Sequence, residues 1–170
     1  ATDLGKLMGE SGVNLVYGGG RLGLMGLVAR AVMENGAKAF GYMPEHLDQF
    51  EGGFNELDEF HLVDSMHTRK LHMSERADAF AILPGGFGTL DELFEILTWK
   101  QLELHDKPII VVNINGYWDK LEELFTHVID SKFAKEKHRP YITFVKSVDE
   151  VIPALRGSPE PQKEFKGEYI

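Results

Sequence analysis

The chain has no cysteine, which excludes disulfides, thiolate catalysis and cysteine-ligated zinc. It also has no apolar run of the ~18 residues that a membrane-spanning helix needs. No signal-peptide pattern is visible, so a soluble cytoplasmic protein without membrane partners is expected. Positive charge is scarce: Lys and Arg number 18 against 27 Asp and Glu, for a formal net charge of −9. Nonspecific nucleic-acid binding needs a basic footprint, so no nucleic-acid partner is expected. The seven histidines include no H-E-x-x-H spacing, and no metal site is expected. His46, His61, His105, His127 and His138 are scattered and read as surface or hydrogen-bonded structural residues. No nucleophile-elbow sequence supports a Ser/His/Asp arrangement. There is no repeat and no low-complexity block. What remains is ordinary globular composition, 43% hydrophobic and 26% charged, over 170 residues, a length that suits one domain with a full core.

Glycine, in contrast, is concentrated where chemistry could use it. The stretch Pro84-Gly85-Gly86-Phe87-Gly88-Thr89-Leu90-Asp91-Glu92 follows an apolar run, Ala79 to Leu83, and precedes a helical pattern, Leu90 to Leu104. Strand, glycine loop, helix is the expected order. Such a loop brings bare N–H groups close to a ligand. The helix start adds unpaired amides and the positive end of its dipole, so an anion site results, most often for phosphate. Two plainer readings compete. The glycines could simply make a connection. Thr89-x-x-Glu92 also has the form of a capping box, in which Thr caps the N3 amide and Glu returns to the cap amide.

A second unit of the same kind lies upstream. Val13 to Tyr17 reads as a strand that runs into Gly18-Gly19-Gly20-Arg21-Leu22-Gly23-Leu24-Met25-Gly26. The window Gly18 to Gly23 satisfies G-x-G-x-x-G, a weak match by itself and without the later acidic ribose ligand. Met25 and Gly26 are expected to pack helix on strand. The helix continues to Asn35-Gly36, a normal stop. Before it, Leu4 to Met8 reads as the end of a helix stopped by Gly9 and Gly12. Ala37 to Met43 is the next strand, ended by Pro44, and Glu45 to Asp58 reads as a loop near a site. Glu59 to Val63 is a strand, and Asp64 or Ser65 can cap the helix Met66 to Arg76. That helix carries His67, Arg69, Lys70, His72 and Arg76, the main cationic cluster of an acidic chain. A solvated basic face is the plain alternative to a functional one, with Arg69 taken as exposed.

Downstream, Ile109 to Asn113 reads as a strand, Asn115-Gly116 as a turn and Tyr117 to Ser131 as an amphipathic helix. Lys132 to Pro140 reads as polar loop, Ile142 to Val145 as a last strand and Val148 to Leu155 as a last helix. A domain over residues 1–156 and a frayed tail over 157–170 are expected. Alternating strands and helices with crossovers of this length predict an α/β fold: a Rossmann-like, three-layer, doubly wound parallel sheet in a single domain. Ligands of such sheets bind at the carboxyl ends of strands, where both glycine loops and the segment leading to Arg69 are expected to meet.

These motifs together resemble the Lonely Guy family, cytokinin riboside 5′-monophosphate phosphoribohydrolases that have long carried a lysine decarboxylase label. Pro84 to Glu92 fits P-G-G-x-G-T-x-x-E, Met66-His67-Thr68-Arg69-Lys70 fits M-H-x-R-K, and Gly18 to Gly26 fits G-G-G-x-x-G-L-M-G. Thr98-Trp99 and Asp106-Lys107-Pro108 also look like family positions, so the likeness covers nearly the whole chain in order. It implies a cofactor-free homodimeric hydrolase that splits nucleoside 5′-monophosphates, AMP or N6-modified AMP, into free base and ribose 5-phosphate. Arg69 and Glu92 would be catalytic. Lys70, Gly86, Phe87, Gly88, Thr89, Leu90, Asp91 and Thr98 would line the nucleotide site, with Gly18, Gly19, Gly20 and Met66 from the other two motifs. The family begins with a further strand that this chain starts after, and residues 45–58 do not align cleanly with the family's base-proximal loop.

The chemistry suits the residue types. Breaking a ribosyl C–N bond builds positive charge on the sugar. A carboxylate at C1′ can stabilise that charge, orient water or attack. Arginine does not readily give up a proton, so Arg69 would orient Glu92, bind substrate hydroxyls or hold the leaving base. A pyridoxal-phosphate decarboxylase would need a Schiff-base lysine in a dedicated site, and Lys70 is the one well-placed candidate. The stronger rival is non-enzymatic: a nucleotide or molybdenum-cofactor carrier on the same fold.

Overall fold

The β-rich run Leu15–Tyr17 (β1) pairs in parallel with Ala39–Pro44 (β2), which pairs in parallel with Glu59–Val63 (β3). β2 is buried along its whole length, as the centre strand of a sheet covered on both faces must be. The computed structural model describes residues 1–54, 56–163 and 165–167, and the chain divides into two compact units, Ala1–Ala77 and Asp78–Ile170. Residues 164 and 168–170, at the end of the expected tail, lie outside the described residues, as does residue 55.

In the first unit, α1 (Thr2–Glu10) and α2 (Gly23–Glu34) flank β1 in sequence, α3 (Glu45–Glu51) joins β2 to β3, and α4 (Met66–Arg76) follows β3. α1 does not stop at Gly9. A Cβ there would lie 2.6 Å from the Cβ of Asn35, so this glycine lets α1 pack closely on the end of α2 rather than ending the helix. Residues 45–58 are not all loop. α3 forms behind Pro44, with Glu45 and Asp48 in its first turn, where carboxylates favour the positive end of the helix dipole. Seven residues are too few to display a helical apolar period, which is why the pattern is silent there. Ser65 caps α4 as expected, its Oγ accepting from the Thr68 amide at 3.1 Å. The Thr68 hydroxyl donates to Asp64 and is the main cause holding that carboxyl below its usual value.

The second unit repeats the plan. β4 (Phe80–Ile82), β5 (Ile109–Val112) and β6 (Thr143–Val145) form a parallel sheet in that order. α5 (Phe87–Gln101), α6 (Asp119–Asp130) and α7 (Val151–Gly157) connect and follow them. The core gathers Leu93, Ile96 and Trp99, spaced three apart on α5, against Ile109 and Val111 of the centre strand. Two segments read as irregular are ordered. Glu136–Tyr141 is a 3-10 helix, held where Arg139 pairs with Glu136 and Asp130 at 2.5 and 2.8 Å. The tail is docked: the Gln162 and Lys163 amides donate to the Asp106 carboxylate at 2.9 and 3.3 Å, and Lys166 N donates to Leu104 O at 3.0 Å. Phe165 packs on Trp99 and His105. Two separated aromatics, Phe165 and Tyr169, in a polar, proline-containing stretch give no periodicity, so composition alone reads as fraying.

His105, 1% exposed, carries a pH expectation. Its Nε2 donates to Ile96 O at 2.7 Å and its Nδ1 accepts from Lys107 N at 3.1 Å, a pairing that suits the neutral ring. Burial is the largest cause that pushes it down to about 4 from 6.5; Lys100 and Lys107 also lower it. The folded ring therefore stays neutral down to about pH 4, while the unfolded chain takes up a proton near pH 6.5. Stability is intact above pH 6.5 and falls by about 3 kcal/mol as pH drops from 6.5 toward 4. Urea midpoints across pH 7 to 4 should show this loss in the native chain and a smaller one in His105→Gln.

Candidate active site

Each unit places one glycine loop at the carboxyl end of its first strand. In the first unit, Gly18, Gly19 and Gly20 follow β1 and are buried. Gly18 has a definite steric reason: a Cβ there would lie 1.7 Å from Nη2 of Arg69. The guanidinium lies where any larger residue would put its side chain. Arg69 is only 9% exposed, so it is not part of a solvated basic face, and its Nη1 donates to the Met66 sulfur at 3.6 Å. Arg76, at the end of the same helix, is also engaged: it pairs with Glu59 at 2.6 and 2.9 Å and lies 3.6 Å over the Phe40 ring. His72 meets Tyr42 edge-on. The loop itself is clamped by the segment after α3. Phe54 N donates to Gly19 O at 3.0 Å, Gly20 and Gly53 form an antiparallel bridge, and Gly53 N donates to Asp48 Oδ1 at 2.7 Å. Met25 lies against Gly20, and a Cβ at Gly26 would meet the Arg21 carbonyl at 1.9 Å. Both therefore pack against the glycine loop, where helix-on-strand packing was expected.

In the second unit, α5 starts at Phe87, three residues before the sequence pattern begins, with Gly86 at its N-cap and no side chain capping it. Thr89 is the third helical residue and Leu90 N closes the first turn on Gly86 O at 3.1 Å. The capping box read from Thr89-x-x-Glu92 is therefore not formed. The cause is the glycine pair, which lets the chain enter the helix earlier than its apolar periodicity begins. A Cβ at Gly85 would lie 2.1 Å from Thr89 Oγ1, so Gly85 is a packing requirement of the loop. Gly86 and Gly88 differ: a Cβ at either would meet nothing within 4 Å. Phe87 is 92% exposed. The helix start thus offers amides that have no intrahelical acceptor beside open space, a geometry that takes an anion.

The remaining expected residues fall into two groups. Glu92 and Lys70 are half-buried and Asp91 is exposed. Leu90 packs its side chain on the core of its unit, and Thr98 donates its hydroxyl to Phe94 O at 2.7 Å, so neither presents a group as open as the loop amides. Tyr117 was missed by the sequence reading, which placed it at a helix start; its hydroxyl donates to Gly85 O at 2.7 Å. The groove lined by Asp119, Glu122, Glu123, Thr126, His127 and Asp130 is acidic and holds none of the expected site residues. Among the described residues no group of three potential metal ligands converges, and no helix is long and apolar enough to cross a membrane.

Two consecutive βαβαβ halves, each with a glycine loop leaving its first strand, define the Rossmann-like doubly wound α/β class. Residues 25–155 match the family described as "Possible lysine decarboxylase". LOG3 of Arabidopsis thaliana, a cytokinin riboside 5′-monophosphate phosphoribohydrolase, is 39% identical over 155 residues, covering 91% of this chain and 72% of its own. LOG of Oryza sativa subsp. japonica, of the same description, is 40% identical over 155 residues, covering 91% of this chain and 64% of its own. The chain thus spans about two thirds of the length of these relatives. Among solved structures, the molybdenum cofactor binding protein from Rippkaea orientalis matches with a TM-score of 0.67 at 19% identity, over 91% of this chain and 83% of that one. At that identity the likeness carries the fold alone. The chain belongs to the Lonely Guy family, the cytokinin riboside 5′-monophosphate phosphoribohydrolases.

Proposed function

We propose that this chain hydrolyses the N-glycosidic bond of nucleoside 5′-monophosphates, AMP or N6-modified AMP. Water adds its oxygen to C1′, the C–N bond breaks, the base leaves with a proton, and ribose 5-phosphate remains. The observation that carries this reading is the start of α5, where no side chain caps the amides and Gly86 and Gly88 face open space. A 5′-phosphate there is held by N–H groups and the helix dipole, and holding it positions the ribose for reaction. Phe87, Gly88, Thr89, Leu90 and Asp91 make up that turn. Glu92, free of the capping role, supplies the carboxylate that the cationic sugar requires. Arg69 supplies a guanidinium to the ribose hydroxyls or the departing base. Met66 steadies Arg69 through its sulfur, and Lys70 and Thr98 complete the nucleotide contacts.

We also place the protein in the cytoplasm as a homodimer. Exposed apolar side chains support the dimer: Leu22, Leu24 and Leu27 around the start of α2, and Phe94 on α5.

Incubation with AMP, without added metal or pyridoxal phosphate, should release adenine and ribose 5-phosphate in equal amounts, with no CO₂ from lysine. AMP should exceed adenosine in kcat/KM by ~10²-fold or more, because phosphate binding energy is used to position the sugar. Product chromatography decides the matter. Equal rates on the two substrates would remove the phosphate anchor. AMP that protects against heat yet is recovered unchanged would make the protein a carrier.

A further inference from the structure

We infer that Tyr117 is a positioning residue, which locks the Gly85–Gly86 peptide so that its amide faces the substrate phosphate; this rests on the phosphate-anchor reading above. The Tyr117 hydroxyl donates to the Gly85 carbonyl at 2.7 Å, across 32 residues of sequence. In a trans peptide the C=O and the following N–H point in opposite directions. Fixing the Gly85 carbonyl toward Tyr117 therefore fixes the Gly86 N–H on the other side. That is the residue whose Cβ would meet nothing within 4 Å.

A peptide flanked by two glycines is the easiest kind to turn over, because both residues tolerate φ and ψ values closed to other side chains. Thr89 presses against Gly85 and restrains one end. The Tyr117 bond restrains the peptide plane itself.

The tyrosine is held in turn by a rigid frame. Asn115 and Gly116 take positive φ, 53° and 72°, to make the turn after β5. The Asn113 carboxamide accepts from Trp118 N at 2.7 Å and donates to Asp119 Oδ1 at 2.8 Å. The buried Trp118 ring meets Tyr117 edge-on, with centroids 4.8 Å apart at 86°. Such support is more than a surface stitch needs. A hydrogen bond from a tyrosine 55% exposed contributes little to stability, since water competes for both partners.

Tyr117→Phe removes the hydroxyl and keeps the ring. The expected result is a fall in kcat/KM for AMP of about tenfold, carried by KM, with adenosine changed by less than about twofold. Protection of the protein against heat by inorganic phosphate should need about tenfold more phosphate, and Tm without ligand should move by less than about 3 °C. Unchanged AMP kinetics and phosphate protection would overturn the inference. So would equal losses on AMP and adenosine per folded molecule, the mark of a purely structural role. If the native protein neither prefers AMP to adenosine nor is protected by phosphate, the phosphate-anchor reading fails, and Tyr117 has nothing to position. Should the variant melt early, ¹⁵N-NMR of the native protein takes its place. Phosphate should shift the Gly86 amide resonance along its binding curve, and an unmoved Gly86 overturns the inference.

Discussion

Replacing Glu92 by Gln is expected to cut AMP hydrolysis by ~10²-fold or more while changing folding stability by less than about 1 kcal/mol. The structure makes this a cleaner test than the sequence could. Had Thr89 capped the helix, Glu92 would have been its reciprocal partner, and a change there would have mixed folding with catalysis. With Gly86 at the cap, Thr89 and Glu92 are the third and sixth residues of α5, so Thr89 is not the cap and Glu92 is not its reciprocal partner. Gln keeps the shape of Glu and has comparable helix propensity, while one acceptor oxygen becomes an NH2 donor. The negative charge is removed, and an oxocarbenium-like sugar depends on that charge. Activity is read by base release per folded molecule and stability by urea titration. A variant that melts early but turns over AMP at the native rate would return Glu92 to a structural role.

How much of this was legible beforehand depends on the kind of signal each element carries. β3 and α4 were placed to the residue, because Glu59–Val63 is bounded by charge and Ser65 announces a cap. α5 was placed three residues late. Its apolar period starts at Leu90, whereas its backbone turns helical at Phe87, and glycine contributes nothing to a hydrophobic pattern. α3 and the docked tail were invisible for a related reason: α3 has too few residues for a period, and Phe165 is one aromatic among polar residues. The glycine motifs were visible as motifs. What each glycine is for was not, since Gly18 and Gly85 answer to side chains distant in sequence or one turn ahead, while Gly86 and Gly88 answer to empty space. Tyr117 gave no local sign at all, because a single hydrogen bond across 32 residues leaves no pattern.

Arg69 is where sequence and structure part most, and it carries the second large effect. Read as an exposed helical arginine, it could be removed at no cost to the fold. Buried, its stem and guanidinium fill space against Gly18, so Arg69→Ala should cost about 1–3 kcal/mol as well as lowering activity by ~10³-fold, the upper range for one preorganised donor. Arg69→Lys should rescue poorly, since an ammonium cannot reproduce the planar fork. Gly18→Ala tests whether the seat matters. A Cβ at 1.7 Å from Nη2 must displace the guanidinium, so activity should fall by ~10²-fold with Arg69 still present. The double variant separates the two explanations. If Gly18 acts only by seating Arg69, then Gly18→Ala adds nothing once Arg69 is alanine, and the double variant matches Arg69→Ala alone. Independent losses would multiply to ~10⁵-fold instead. That product would mean the glycine serves the substrate directly and the guanidinium merely lies beside it.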